Sequence, residues 1–176
     1  MTVQVENRDN GIQIVRLTGA SASKSFSRES LPIIADAIDK GLKNPDIKGM
    51  VITGEGKFFS AGADINAFQE SIEANEAPQL IRDLTNILHP LLMRIRESST
   101  IVVAAINGAA AGGGLGLALA CDARIASPKA KLAASYASIG LSPDGGTTWL
   151  LPRLVGEQRS RQFFFENQIW NAEESV

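Results

Sequence analysis

Residues 109–116, Ala109-Ala110-Ala111-Gly112-Gly113-Gly114-Leu115-Gly116, join two apolar stretches of different character. Ile101 to Ile106 before them has the composition of a buried strand. Leu117-Ala118-Leu119-Ala120 after them has that of a helix beginning. Glycines at a strand-to-helix junction leave backbone N–H groups unscreened, where a helix also has unpaired donors and the positive end of its dipole. Such a junction is suited to holding a negatively charged oxygen. A second small-residue loop, Phe58-Phe59-Ser60-Ala61-Gly62-Ala63-Asp64-Ile65, is the candidate source of a partner N–H for a two-donor oxyanion hole.

The rest of the chain fits an α/β domain around that junction. Val3 and Val5, a turn at Asp9-Asn10-Gly11, then Ile12, Ile14 and Leu17 predict a hairpin. Leu31, Ile34, Ala35, Ile38 and Leu42 keep helical spacing, with Ser27 as cap and Asn44-Pro45 as stop. Met50 to Thr53 is a short buried strand, and a mobile, Glu-rich helix follows the second loop as far as Ala77. Leu80, Ile81, Leu84, Ile87, Leu88, Leu91, Leu92 and Ile95 form one face of a long helix that Pro90 should bend or restart. Ala123–Ala126 and Lys131–Ala134 are expected strands, and Thr147–Leu151 a helix interrupted by Pro152. Strands alternating with helices give the α/β class, in one domain over residues 1–176, with no internal repeat in the sequence. Asn171 to Val176 is expected to begin a helix, so the sequence is expected to stop short of the complete protein.

Composition narrows the chemistry. Seventeen Lys and Arg against 19 Asp and Glu, with no basic stripe, argue against nucleic acid as a partner. The single cysteine, Cys121, allows no intrachain disulfide and no thiolate zinc site, which fits a reducing cytoplasm. It lies on the apolar helix run and is expected in the core. Met1 to Asn10 is polar and unlike a signal peptide. The uncharged run Ile101–Cys121 is broken by Asn107 and five glycines, so a membrane span is rejected. Glu70, Glu73 and Glu76 lack a nearby His or Asp at ligand spacing and are expected to be a solvated face, not a metal site. Gly54-Glu55-Gly56-Lys57 lacks the Ser or Thr of a phosphate loop.

Three stretches in order resemble the crotonase (enoyl-CoA hydratase/isomerase) superfamily. They are Phe58 to Ile65; Val103-Ala104-Ala105-Ile106-Asn107-Gly108 running into Gly112-Gly113-Gly114; and Ala120-Cys121-Asp122 with Gly140-Leu141-Ser142-Pro143-Asp144-Gly145-Gly146. The resemblance implies a spiral of β-β-α units acting on acyl-CoA thioesters, with further C-terminal helices that this sequence lacks. It implies a homotrimer or hexamer, no metal, and no cofactor other than the coenzyme A of the substrate. By position, Ala63 and Gly113 resemble the two oxyanion donors. Ala61 to Ile65, with Asp64, would contact the adenine of coenzyme A, and Lys24 sits at the approach to its phosphates.

The resemblance also bears on the reaction. Hydratases of the family place one glutamate just after the glycine cluster and a second about twenty residues on; this sequence has Gly116 and Tyr136 there. Asp144 matches instead the aspartate of the ring-modifying enoyl-CoA isomerases and of 4-chlorobenzoyl-CoA dehalogenase. The expectation is therefore an isomerase with Asp144 as acid and base, and with Tyr136, as a wall, and His89 in the substrate pocket. His89 matches a dehalogenase histidine, although histidines are common at this helix position. Hydration, dehalogenation, thioester hydrolysis and non-catalytic coenzyme A binding stand as alternatives. Taken alone, Pro143-Asp144-Gly145 is also an ordinary type I turn.

Overall fold

Strand pairs that part company after a few residues organise this molecule. In the computed structural model, which describes residues 3–175, the chain runs β1 (Val3–Asn7), β2 (Ile12–Leu17), α1 (Ala20–Ser23), α2 (Ser30–Lys43), β3 (Gly49–Thr53) and β4 (Phe58–Ser60). It continues through α3 (Ile65–Glu73), α4 (Ala77–Glu97), β5 (Ile101–Ile106), β6 (Ala109–Ala111), α5 (Gly113–Ala120), β7 (Ala123–Ala126) and β8 (Lys131–Ala133). A 3-10 turn at Ala137–Ile139 precedes α6 (Thr147–Val155), α7 (Glu157–Phe165) and β9 (Ile169–Asn171).

One sheet has the order β1-β2-β3-β5-β7 and the other β4-β6-β8-β9. Thus β3, β5 and β7 lie side by side in the first sheet, and their successors β4, β6 and β8 lie in the same order in the second. Each turn of the chain adds one strand to each sheet before a helix returns it, which is the expected β-β-α spiral. The pairings are parallel except β1 with β2 and β8 with β9. Val51 fixes the register, facing Ile14 on one side and Val103 on the other.

The expected hairpin and the two main helices form where their spacing places them. Ser27 Oγ accepts from the Ser30 amide at 3.0 Å and so caps α2. Helix α4 buries Leu80, Leu84, Leu88, Leu91, Leu92 and Ile95, and runs on through Pro90 to Glu97. The alternating burial of β2 and β5 turns one strand face to the same core.

Several expectations change. Phe58–Ser60, expected as loop, is a strand, because the alanines of β6 offer it a parallel partner. Helix α5 begins at Gly113, before the expected Leu117. Helix α6 passes through Pro152 to Val155. Phe163 is fully buried, its ring 4.4 Å from that of Trp170, whereas Phe165 is exposed. Asn171 ends a strand, and its Oδ1 accepts from the Glu173 and Glu174 amides, capping a turn as a helix N-cap would. Met1, Thr2 and Val176, the ends of the segments expected above, lie outside the described residues.

Asn107 ties the two sheets together where β5 leaves one and β6 enters the other. Its Oδ1 accepts from the Gly54 amide at 2.9 Å, and its Nδ2 donates to Phe58 O at 3.0 Å and Gly56 O at 3.3 Å. One side chain therefore holds the β3–β4 turn against the β5–β6 turn. Asn107→Ala leaves the buried Gly54 amide without its acceptor. Urea denaturation should show a loss of about 1–3 kcal/mol, the cost of an unsatisfied buried polar group.

Candidate active site

Three glycines of helix α5 bring three separate segments into contact, each by lacking a β-carbon. A β-carbon on Gly114 would lie 2.2 Å from Ser60 O, so the end of β4 rests directly on the helix. On Gly113 it would strike the Phe26 ring at 2.5 Å and approach Leu88 at 3.2 Å. On Gly116 it would lie 2.5 Å from Gly145 O, so the turn carrying Asp144 also lies on this helix. The glycine cluster is the hub at which the loop after β4, helix α4 and the Asp144 turn meet.

Backbone conformation completes the hub. Gly62 has φ +82°, and a β-carbon there would lie 2.7 Å from Ala111 O and 3.5 Å from the Gly113 nitrogen. Only glycine meets both demands. Gly112, at φ +53°, turns the chain out of β6 into α5. Gly113 is the first residue of α5, where amides have no intrahelical acceptor. Neither the Ala63 nor the Gly113 amide donates a hydrogen bond to another group among the described residues. Both residues line one cavity of about 150 Å3.

Asp144 and Tyr136 line the same cavity. Its apolar lining comes from Phe68, Ile81, Leu84 and Leu88 on helices α3 and α4, and from Ile139 and Leu141. Ser135, in the left-handed region at φ 62°, lines it too. The Tyr136 hydroxyl donates to Asp144 Oδ1 at 2.9 Å. Burial, and then the negative charge of Asp144, push the phenol far above its ordinary pKa, so it remains a donor at every physiological pH. His89, expected in the substrate pocket, does not line the cavity. It is half exposed, and its Nε2 lies 3.8 Å from Asp144 Oδ2, beyond hydrogen-bond distance.

Of the residues assigned to coenzyme A contact, Ala61 and Ile65 line the cavity and Asp64 and Lys24 do not. Lys24 Nζ pairs with Asp64 Oδ2 at 2.8 Å, and Asp64 Oδ1 caps α3 by accepting from the Asn66 amide at 3.1 Å. Partial burial alone would raise the Asp64 pKa, but the bonds from Lys24 and Asn66 outweigh it and hold the carboxyl below its usual range. The pair fixes the start of α3 beside the Ala63 loop. Cys121 is buried, which pushes its thiol up to about 12 and makes it an inert core residue. No group of three or more His, Cys, Asp or Glu arranged to hold a metal occurs among the described residues. No helix among them is long and apolar enough to cross a membrane.

Sequence reasoning assembled Ala63, Gly113, Tyr136 and Asp144 in one place. It missed Phe26, whose ring packs on Gly113, because a lone aromatic in a polar segment carries no periodic signal. It also missed Thr147, whose Oγ1 donates to Asp144 O at 2.8 Å and fixes the turn.

The position matching the first hydratase glutamate is closed by geometry as well as composition. Any side chain at Gly116 would collide with the Gly145 carbonyl. The position matching the second is occupied by the Tyr136 phenol, already bonded to Asp144.

The comparisons with known proteins agree with this architecture. The enoyl-CoA hydratase/isomerase family model matches residues 7–176. The crotonyl-CoA hydratase of Syntrophomonas wolfei is 33% identical over 96% of this chain and 63% of its own length. The 1,2-epoxyphenylacetyl-CoA isomerase of Escherichia coli is 33% identical over 86% and 58%, respectively. A 4-chlorobenzoyl coenzyme A dehalogenase of Arthrobacter is 31% identical over 98% and 62%. The chain thus spans less than two thirds of the length of these curated relatives. Among solved structures, an enoyl-CoA hydratase from Bacillus halodurans superposes with TM-score 0.89 at 25% identity, covering 99% of this chain and 69% of that one. DspI of Pseudomonas aeruginosa does so with TM-score 0.83 at 36% identity, covering 98% and 68%. With the family model matched over nearly the whole chain and solved structures of that family superposing on its fold, this protein belongs to the enoyl-CoA hydratase/isomerase family.

Proposed function

We propose that this protein is an acyl-CoA isomerase, in which the amides of Ala63 and Gly113 hold the thioester oxygen and Asp144 moves the proton. One observation carries the reading: among the described residues Asp144 is the sole carboxylate lining the cavity, and Ala63 and Gly113, whose amides donate to no other group, line it too. The Asp144 carboxylate takes a proton from one carbon of the enoyl group, and the electron pair moves into the thioester carbonyl as an enolate. Two prealigned donors favour that enolate over the neutral carbonyl, and losing one donor costs about 3 kcal/mol in comparable sites. The carboxyl group then returns the proton to the carbon two positions away, and the double bond shifts with no change in mass. Because acid and base are one group, the scheme needs no cofactor beyond the coenzyme A carried by the substrate. We place the enzyme in the cytoplasm as a homotrimer or hexamer, with Lys24, Ala61, Asp64 and Ile65 on the coenzyme A side.

A second reading draws on His89, 3.8 Å from Asp144 Oδ2. There Asp144 attacks a halogen-bearing ring carbon of an aroyl-CoA, halide leaves, and His89 activates the water that attacks the carbonyl of the resulting aryl ester, releasing the phenol and restoring Asp144. Mass analysis of products from short, long and aromatic enoyl-CoAs separates the possibilities. The isomerase reading predicts a product of unchanged mass. Gain of 18 mass units means hydration, free coenzyme A means thioester hydrolysis, and binding without turnover means a non-catalytic subunit; each contradicts it.

A further inference from the structure

Asp144 is held more firmly than a turn residue requires. Its carbonyl accepts from the Thr147 amide at 3.1 Å and from Thr147 Oγ1 at 2.8 Å. On the other side, the Tyr136 carbonyl accepts from the Ile139 amide at 3.1 Å and the Leu141 amide at 3.0 Å. The two backbones are therefore fixed independently, and the side chains meet between them. The phenol has one proton and two acceptors in reach, Asp144 Oδ1 at 2.9 Å and Asp144 O at 3.3 Å. The nearer, charged oxygen takes it. Oδ2 has no hydrogen bond among the described residues, and the His89 imidazole stands off at 3.8 Å.

We infer that Tyr136 is a positioning residue, which immobilises Asp144 through Oδ1 so that Oδ2 alone carries the proton between the two carbons. This rests on the isomerase reading and extends it. A carboxylate free to rotate presents either oxygen to substrate or to water, and a proton taken on one can be exchanged before it is returned. Bonded to Tyr136, the group has one reactive oxygen in one place. The proton that leaves one carbon then stays at the site until it reaches the other. Tyr136 thus acts on the base and need not touch the substrate.

The test uses trans-3-hexenoyl-CoA dideuterated at C2, following deuterium at C4 of the product by mass. Wild-type protein should deliver a substantial part of the label to C4. Tyr136→Phe, which removes one oxygen and keeps the ring, should lower kcat about tenfold while KM stays within about twofold. Label reaching C4 should fall at least about threefold as solvent protons replace it, the signature of lost orientation. Unchanged label transfer in Tyr136→Phe, with or without a lower thermal midpoint, overturns the inference and leaves a packing role. Should the variant not fold, the wild-type transfer still decides: complete washout of label overturns the inference. Absence of any wild-type turnover overturns the isomerase reading together with this one, whereas turnover with unchanged transfer overturns this one alone.

Discussion

Asp144→Asn is expected to lower isomerase turnover by about 10²–10⁴-fold, the range for removing a positioned general acid–base group. The amide is neutral and cannot take a proton from carbon. Its oxygen can still accept from the Tyr136 hydroxyl, and the main-chain bonds to Thr147 do not involve the side chain. Fold and cavity should persist, so acyl-CoA affinity should change little. Steady-state kinetics with calorimetric binding measures both. Retained turnover would move the base elsewhere, with His89 the next group to test.

Gly114→Ala is expected to have the second largest effect, and it acts through shape alone. The new methyl carbon would lie 2.2 Å from the Ser60 carbonyl oxygen and 2.5 Å from Ser60 Oγ. The obstacle is backbone, which no rotamer change removes. Ser60 is also fixed from behind, its Oγ donating to Ser25 Oγ at 2.8 Å in a buried contact. The helix and the end of β4 must therefore separate, and the Ala63 amide moves away from that of Gly113. Overpacking of this kind costs about 1–3 kcal/mol of stability. Misplacing a catalytic group by about 1 Å costs on the order of 10²-fold in rate. Thermal unfolding and kcat/KM should both fall. A variant that loses stability and keeps its rate would show that the spacing of the two loops does not govern the chemistry.

What could be seen in the sequence followed from how far each signal extends along the chain. Helix α4 was legible because eight apolar residues repeat at helical spacing over Leu80–Ile95. The β1–β2 hairpin was legible because both strands flank one turn. Of the second sheet only β8 was legible, because β4, β6 and β9 are each three residues long, too short for alternation to register. Their partners lie far apart in sequence, and β8 and β9 are joined across the whole of helices α6 and α7.

The structural repeat escaped detection for a related reason. Strands β3, β5 and β7 occupy equivalent places but differ in burial, from the covered Gly49–Thr53 to the edge Ala123–Ala126, where Ile125 is exposed. Equivalent position therefore did not produce equivalent residues. The early start of α5 was hidden because glycine is a poor helix former. Tertiary contact overrides propensity there: Gly113, Gly114 and Gly116 are selected by what lies against them, not by the helix they begin. The same reasoning explains why the site itself was visible. A cluster of residues that weakens its own helix is a mark of close approach, and close approach is what the chemistry needs.

The most direct test is a crystal structure of the Asp144→Asn variant with an enoyl-CoA bound. The account predicts the thioester oxygen within hydrogen-bond distance, about 2.7–3.1 Å, of both the Ala63 and Gly113 nitrogens, with the side chain at position 144 over the enoyl carbons. A thioester oxygen bonded to neither amide, or an acyl group lying away from position 144, would contradict it.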